Sequence, residues 1–212
     1  MNIRTALITG VTGKNGALLA DFLLKKGYEV HGIIRHGSED FRRNTVHLEN
    51  VPHFHLHFAD VGDSMAMFNV ISKVKPAEIY NMAAVNDSKM SEEFPVTTFE
   101  TNGTGILRIL LAVKVFGHIA SCRVFQACSP DILRLNLSDD GPKVTFEPEN
   151  IKGAADLYGF DIVRDFRQNF HAFCCSGIIQ PGADASSAIW EMLQKERPED
   201  FIIVDGELKS LE

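Results

Sequence analysis

Short apolar runs alternate along this chain with longer segments of helical spacing. The short runs predict β-strands at residues 5–9, 29–34, 54–59, 78–82, 122–127, 173–179 and 201–204. Between them, apolar positions three and four residues apart predict helices at residues 17–26, 64–74, 97–116, 154–172 and 186–195. A repeated strand–helix–strand order predicts an α/β domain built on a doubly wound parallel sheet, with helices on both faces.

One stretch, residues 131–150, shows no clear period. It contains two prolines and four acidic residues at its centre and end, Asp139, Asp140, Glu147 and Glu149. We therefore predict a surface loop there, with solvated carboxylates rather than a cation site.

Composition and charge narrow the classes of function. The chain has 212 residues, of which 45% are hydrophobic and 23% charged, as is typical of one sizeable globular domain. Its formal net charge of -7 provides no general attraction to nucleic acid or to an anionic membrane surface. Neither is an expected partner, and an anionic ligand would have to be held by a local device.

The cysteines and the N-terminal residues indicate the cellular compartment in which the protein is expected. No run approaches the roughly 18 apolar residues of a membrane span, and the N-terminus leads directly into a strand without a signal-peptide pattern. The four cysteines form no CxxC pair; they are Cys122, Cys128, Cys174 and Cys175. We interpret them as reduced, mostly buried thiols and expect a cytoplasmic protein.

The sequence GVTGKNG, residues 10–16, follows the first predicted strand and precedes the first helix. In this context Gly10 allows a tight turn, Gly13 lets the backbone approach a pyrophosphate, and Gly16 lets the helix pack closely. The helix N-terminus adds free N–H groups and partial positive charge. The GxxGxxG spacing is that of short-chain dehydrogenases/reductases, so we predict a Rossmann dinucleotide site. The rest of its binding loop is Thr12, Lys14 and Asn15.

The residues after the second predicted strand indicate which dinucleotide is bound. An acidic residue here binds the ribose 2′-hydroxyl of NAD, whereas a basic residue accommodates the 2′-phosphate of NADP. Arg35, supported by His36 and Ser38, favours NADP over NAD. A solvated surface arginine is the alternative interpretation of Arg35.

Longer stretches resemble GDP-mannose 4,6-dehydratases. They are LITGVTGKNGALLADFLLKKGYEVHGIIR, VKPAEIYNMAA, NGTGILRILLAVKVFG, RVFQACS and WEMLQKERPEDFIIVDGE. The resemblance implies an extended short-chain dehydrogenase/reductase, with a Rossmann domain and a smaller C-terminal domain for the nucleotide sugar. Members of that family oxidise the hexose C4 with NADP, eliminate water across C5–C6 and return the hydride to C6. The resemblance adds four residues to the cofactor site, Asp60, Val61, Ala83 and Ala84.

The catalytic residues of that family are replaced in this chain. The family's tyrosine–lysine pair, YxxxK, falls on Lys152 and Asp156, and its STSE segment falls on residues 128–131. An ammonium lacks the acidity of a phenol, and an aspartate would raise the pKa of a nearby tyrosine rather than lower it. We predict a degenerate catalytic site of Ser129 and Asp131, whose carboxylate is one methylene shorter than glutamate. Lys152 and Asp156 are predicted to form an i,i+4 ion pair on the helix surface.

No other tyrosine of the chain can take the place of the family's catalytic tyrosine, whose position is occupied by Lys152. The chain contains only Tyr28, Tyr80 and Tyr158. Tyr158 lies six positions beyond Lys152, about 240° further around a helix at ~100° per residue, and it matches a second tyrosine of the family.

The chain is also short for the family. After GIIQP, residues 177–181, only a few residues precede the segment around Trp190, whereas the family continues here into its substrate domain. We expect residues 1–180 to form the Rossmann domain and residues 181–212 to be a remnant of the C-terminal segment packed on it. The substrate-binding domain would then be largely missing.

Two further groups were weighed as sites. His53, His55 and His57 alternate on the third strand and could bind zinc, but no acidic or cysteine partner lies nearby in sequence. We interpret them as one polar face of an edge strand and predict no metal site.

Cys128 has no histidine placed by sequence to activate it, which favours a buried thiol over a nucleophile.

Three functional hypotheses remain at this point. The first is a pseudoenzyme that binds NADP in a binding, regulatory or structural role. The second is an active dehydratase that converts GDP-mannose to GDP-4-keto-6-deoxymannose, in the GDP-fucose pathway. The third is a structural chain without a ligand. By resemblance, a nucleotide sugar is a further ligand, and residues 97–116 and 154–172 would join copies in a homo-oligomer or larger assembly.

Overall fold

The computed structural model describes residues 3–37, 43–116, 121–138, 141–170 and 174–178. Its strands are β1 (Thr5–Thr9), β2 (Glu29–Ile34), β3 (Phe54–Phe58), β4 (Glu78–Asn81), β5 (Arg123–Cys128), β6 (Arg134–Ser138), β7 (Gly141–Thr145) and β8 (Cys174–Ile178). Its α-helices are α1 (Lys14–Lys25), α2 (Ser64–Val74), α3 (Ser88–Glu93), α4 (Pro95–Thr98), α5 (Thr104–Val115) and α6 (Ile151–Phe170). Two 3-10 turns, Val46–Leu48 and Pro130–Ile132, and a π-helical turn, Phe99–Gly103, join them.

Six of the strands form one parallel sheet in the order β3-β2-β1-β4-β5-β8. Every neighbouring pair in it is parallel, which confirms the predicted doubly wound α/β architecture. The strand order reverses between β1 and β4. In open parallel sheets, ligands bind in the crevice outside the carboxyl ends of the strands at such a reversal.

The core lies on both faces of this sheet because successive strand residues point in opposite directions. Leu7 of β1 joins a cluster that includes the buried faces of α2, α5 and α6. Ala6 and Ile8, its neighbours on β1, join a second cluster with α1. All three side chains are fully buried, so β1 is the central strand of the fold.

The structure corrects the sequence prediction in two segments. Residues 131–150 are not simply a loop, since β6 and β7 pair there as an antiparallel hairpin. The leucines of RLNLS alternate with polar residues, a period of two that fits a strand, and Asp-Asp-Gly lies at the connection. The helix predicted at 97–116 is interrupted by the π-helical turn, and α3 precedes it unpredicted.

Some predicted elements lie outside the described residues. These are the helix at 186–195, the strand at 201–204 and the C-terminal remnant at 181–212. Within the described part of the chain, no helix is long and apolar enough to cross a membrane.

Helix α6 begins in close contact with the 3-10 turn after β5. A Cβ added at Gly153 would lie 2.2 Å from the carbonyl oxygen of Asp131, nearer than side-chain carbons approach. The Gly153 amide donates a hydrogen bond to Asn150 Oδ1 at 2.7 Å, so the Asn150 side chain caps the start of α6. The first turn of α6 is therefore held against the 3-10 turn with no space between them.

We predict that Gly153→Ala destabilises the protein although alanine is the better helix former. Overpacking of this kind costs about 1–3 kcal/mol, against a helix-propensity gain of about 1 kcal/mol. Urea denaturation would measure the change, with Ala154→Ser at the exposed neighbouring position as the control. A Gly153→Ala variant as stable as the parent would contradict the close approach.

Candidate functional site

The glycine loop lies at the reversal of strand order, between β1 and α1. Gly10 has a φ of 64°, and a Cβ there would lie 2.8 Å from both the Met82 oxygen and the Ala83 nitrogen. At Gly16 a Cβ would lie 2.4 Å from the Gly10 oxygen. The turn and the close packing of α1 on β1 therefore require glycine at both positions, as the sequence predicted.

The N-terminus of α1 faces this loop without a side-chain cap. Gly13 is the N-cap, in extended conformation, and the first turn contains no acidic residue. The first amide groups of a helix have no partner within the helix, and together they carry a partial positive charge. This end of α1 can therefore receive an anion.

A cleft of about 490 Å³ opens beside the loop, large enough for a small-molecule ligand. Several predicted cofactor residues line it, namely Gly10, Thr12, Gly13, Arg35, Val61, Ala83 and Ala84. Others do not line it, namely Lys14, Asn15, Gly16 and Asp60. The Asp60 carboxylate instead accepts a hydrogen bond from the Gly62 amide at 2.8 Å.

Two cleft residues escaped the sequence analysis. Arg43, like Arg35, lines the cleft. Asn44 donates through Nδ2 to the Thr12 carbonyl at 2.8 Å. This hydrogen bond joins the glycine loop to the segment that contains Asn44. The adjacent arginines in FRRN were the available signal. His36 stacks on Phe58 with ring centroids 4.7 Å apart, and Ser38 lies outside the described residues.

A chain of buried polar side chains begins at Thr9, which lines the cleft. Thr9 Oγ1 donates to Asn81 Oδ1 at 2.5 Å and accepts from the amides of Met82 and Ala83, each at 3.1 Å. Asn81 Nδ2 donates to Gln126 Oε1 at 2.6 Å. These bonds fix the carboxyl ends of β1, β4 and β5 relative to one another.

The residues aligned with the family's catalytic groups form a second cluster together with Asn102. We call it the Lys152 cluster: Ser129, Asp131, Lys152, Asp156 and Asn102. Lys152 Nζ lies 2.8 Å from Asp131 Oδ2 and 3.4 Å from Asp156 Oδ2. Ser129 Oγ donates to Asp156 Oδ2 at 2.7 Å, and Asn102 Nδ2 donates to Asp156 Oδ1 at 2.9 Å.

The predicted i,i+4 ion pair of Lys152 and Asp156 forms, but its predicted position on the helix surface was wrong. Each residue is only 4% exposed. Their face of α6 packs against the π-helical turn and the 3-10 turn, which the helical spacing alone does not reveal. The pair is thus part of a buried network, in which both oxygens of Asp156 accept hydrogen bonds.

This network limits the chemistry of the cluster. The Lys152 ammonium is held between two carboxylates and can donate protons but not accept one. The Ser129 hydroxyl already donates to Asp156, and the Asp131 carboxylate is paired with Lys152. One ammonium is thus shared by two carboxylates, that of buried Asp156 and that of partly exposed Asp131.

The tyrosines lie elsewhere, and all three are among the described residues. The hydroxyls of Tyr28 and Tyr80 donate to Glu78 at 3.3 and 2.9 Å, at the amino end of β4. The ring of Tyr158 packs against Phe99, with centroids 5.1 Å apart, and is partly exposed. None of the three is among the residues lining the cleft described above.

A family model supplies the decisive comparison. The model of GDP-mannose 4,6 dehydratase matches residues 7–181. The chain belongs to this family. The human GDP-mannose 4,6 dehydratase is 34% identical over 256 residues, covering 97% of this chain and 69% of the human protein. The Vibrio cholerae relative is 30% identical over 252 residues, covering 96% of this chain and 68% of its own.

Solved structures show the same fold at low identity. The UDP-glucose 4-epimerase of Brucella ovis, in complex with NAD, has a TM-score of 0.67 and 18% identity over 87% of this chain. The UDP-Glc/GlcNAc 4-epimerase of Campylobacter jejuni has a TM-score of 0.71 and 16% identity over 86% of this chain. This family member spans 55% and 56% of those chains.

Of the three histidines considered as zinc ligands, one lies before β3 and two lie on it. His53 precedes β3 with a φ of 69°, whereas His55 and His57 lie on β3 beside His31 of β2. Burial, reinforced by the charges of His57 and His55, lowers the pKa of His31 to about 4. Burial and Lys73 lower the pKa of His57.

The cysteines described here are buried. Cys122 and Cys128 are reduced and flank β5, and burial raises the pKa of the Cys122 thiol to about 12. A thiol with a raised pKa is a poor nucleophile. Cys174 and Cys175 lie on β8.

We predict that Lys152→Met destabilises the protein by about 3–5 kcal/mol, because it leaves the buried Asp156 carboxylate without its cation. Chemical denaturation would measure the loss. Arg164→Met is the matched control on the same helix, since Arg164 pairs with Asp161 at a half-exposed position and such a pair contributes about 0–1 kcal/mol. Equal effects of the two substitutions would contradict a buried network.

Proposed function

We propose that this family member binds NADP in the cleft and does not catalyse the dehydratase reaction, so that its role is one of binding, regulation or structure. The observation that carries the proposal is the Lys152 cluster. Where the family has its tyrosine–lysine pair, this chain has a buried lysine held between Asp131 and Asp156.

Dinucleotide binding rests on the geometry of the loop and the cleft. The uncapped N-terminus of α1 would receive the pyrophosphate, and Gly10 and Gly16 keep the backbone close enough for it. The Brucella ovis epimerase and the Bacillus anthracis dTDP-glucose 4,6-dehydratase, which share the fold, were each solved with NAD. The glycine loop and the residues lining the cleft fit a nicotinamide dinucleotide. In other members of the family this cofactor accepts and returns a hydride.

The preference for NADP rests on charge. Arg35 follows β2, where a basic residue accommodates a 2′-phosphate. Arg43 places a second guanidinium in the same cleft. Two cations can form charge-assisted hydrogen bonds to a phosphate dianion, and no acidic residue follows β2 at the Arg35 position to bind a free 2′-hydroxyl.

Catalysis is expected to be lost because the Lys152 cluster lacks a group ready to accept a proton from the substrate. Oxidation at a sugar hydroxyl requires a group that accepts its proton, and the Lys152 ammonium accepts none. Two carboxylates contact Lys152: Asp131 Oδ2 at 2.8 Å is paired with its ammonium, and both oxygens of Asp156 accept bonds from Asn102, Ser129 and Lys152. A base for the hydroxyl would require this network to open.

An active dehydratase is the alternative. The identity to the human enzyme, 34%, supports it, as do a hydroxyl at Ser129 and a carboxylate at Asp131, where the resemblance places the family's hydroxyl and glutamate. The match to that enzyme extends over 256 residues, more than the 212 of this chain, so the human sequence has residues without a counterpart here. We infer that the missing part includes groups that hold the nucleotide sugar, which favours the noncatalytic role.

Self-association is the expected assembly. Exposed apolar side chains follow the surface of α4, α5 and the start of α6, including Val96, Leu111, Val115 and Ile151. We infer that a second copy of this chain covers them, and sedimentation of the purified protein would show a dimer or larger species.

We predict that isothermal titration detects NADP binding and weaker NAD binding. Arg35→Ala should weaken NADP binding by tenfold or more, the loss expected for a charge-assisted contact of about 1.5–3 kcal/mol, and should leave NAD binding nearly unchanged. Arg4→Ala, at the amino end of β1, is the control cation remote from the cleft. Absence of any binding or thermal shift with millimolar NADP would overturn dinucleotide binding.

The loss of catalysis has a separate test. We predict no conversion of GDP-mannose in the presence of NADP, with human GDP-mannose 4,6 dehydratase as the positive control. Formation of the 4-keto-6-deoxy product by the purified chain would establish the alternative, whatever the result of the NADP titration.

A further inference from the structure

Four side chains that bind metals in other proteins meet on one face of β2 and β3, at the edge of the sheet. In the parallel register His31 lies opposite His55, and Ile33 lies opposite His57. Alternation along each strand then places Glu29, His31, His55 and His57 on the same face. We call these four residues the edge histidine cluster; the dehydratase chemistry of the family uses none of them.

Within this cluster three ligand atoms converge. Those of Glu29, His31 and His55 all lie within 4.8 Å of one another. Glu29 Oε1 is 3.2 Å from His55 Nε2 and 4.0 Å from His31 Nε2. Tetrahedral zinc with bonds of about 2.0–2.1 Å sets its ligand atoms about 3.4 Å apart, so small side-chain movements would complete such a site.

The fourth residue supports one imidazole of the three. His31 Nδ1 lies 2.8 Å from His57 Nε2. When the Nδ1–H of His31 donates to His57, the Nε2 lone pair of His31 points toward Glu29 and His55. Metal-bound histidines have such a hydrogen bond on the second ring nitrogen, because it fixes the tautomer and the ring orientation.

From this geometry we propose that the edge histidine cluster binds one zinc ion through His31, His55 and Glu29, with His57 orienting His31. Two imidazoles and one carboxylate are three protein ligands of the types that zinc takes, leaving the fourth position to water. The Glu29 charge offsets that of the cation, while Lys73, the nearby ammonium on α2, opposes it. The ion would join the edge strand β3 to β2.

The test is zinc titration of the full chain after treatment with a chelator and its removal. We expect one zinc per chain, and at least tenfold weaker binding in His55→Gln and in Glu29→Gln. Both side chains are substantially exposed, at 47% and 37%, so both variants should fold. His47→Gln is the matched control, because His47 also pairs with a carboxylate, Asp21 at 2.9 Å, but lies outside the cluster.

Cobalt gives an independent readout. Co²⁺ in a tetrahedral site absorbs intensely in the visible region, and His55→Gln should remove this absorption while His47→Gln retains it. Parent protein that binds no zinc at 100 micromolar, or variants that bind zinc as tightly as the parent, would overturn the site. NADP titration of the same variants should match the parent, which separates this result from the test of the cleft.

Discussion

The Lys152 ammonium, buried between two carboxylates, is the interaction on which the interpretation of this molecule depends. Removing two charges from water is costly, and the cost is offset only when every remaining donor and acceptor finds a partner. Asp156 meets this condition through Asn102, Ser129 and Lys152. Such a network joins α6 to the π-helical turn through Asn102 and to the segment after β5 through Ser129 and Asp131. The same bonds that stabilise this junction occupy both oxygens of Asp156.

The cleft and the cluster respond differently to sequence change. Recognition of a dinucleotide by this fold depends largely on the backbone: a left-handed Gly10, an uncapped helix N-terminus and a reversal of strand order. Proton transfer depends on the identity of a few side chains. A lineage can replace those side chains with a self-satisfied ion pair and still keep the strands, the helices and the loop. The chain is 34% identical to the human GDP-mannose 4,6 dehydratase, and it has Lys152 and Asp156 where the resemblance places the tyrosine–lysine pair of that family.

Local patterns predicted the parallel sheet and the glycine loop, because apolar period and turn chemistry are encoded within a few neighbouring residues. Contacts between distant segments were not accessible in this way. The burial of Lys152 follows from the packing of α6 on the π-helical turn, and the edge histidine cluster follows from the register that sets His31 beside His55. The acidic partner of His55 is not a neighbour in sequence, because Glu29 lies 26 residues earlier and on the adjacent strand. The bond between Asp60 Oδ1 and the Gly62 amide, two residues away, is likewise not indicated by the sequence pattern.

The π-helical turn connects the two parts of the site. Thr101 lines the cleft, while its neighbour Asn102 accepts from the Val85 amide at 2.8 Å and donates to Asp156 at 2.9 Å. Val85 itself lines the cleft, so one asparagine joins its wall to the Lys152 cluster. A π turn places successive residues differently from a regular α-helix, and such turns are frequent at functional sites. The backbone that shapes the cleft thus also supplies a hydrogen bond to the buried charges. Asp156 and its partner Lys152 are thus joined to the wall of the cleft through Asn102.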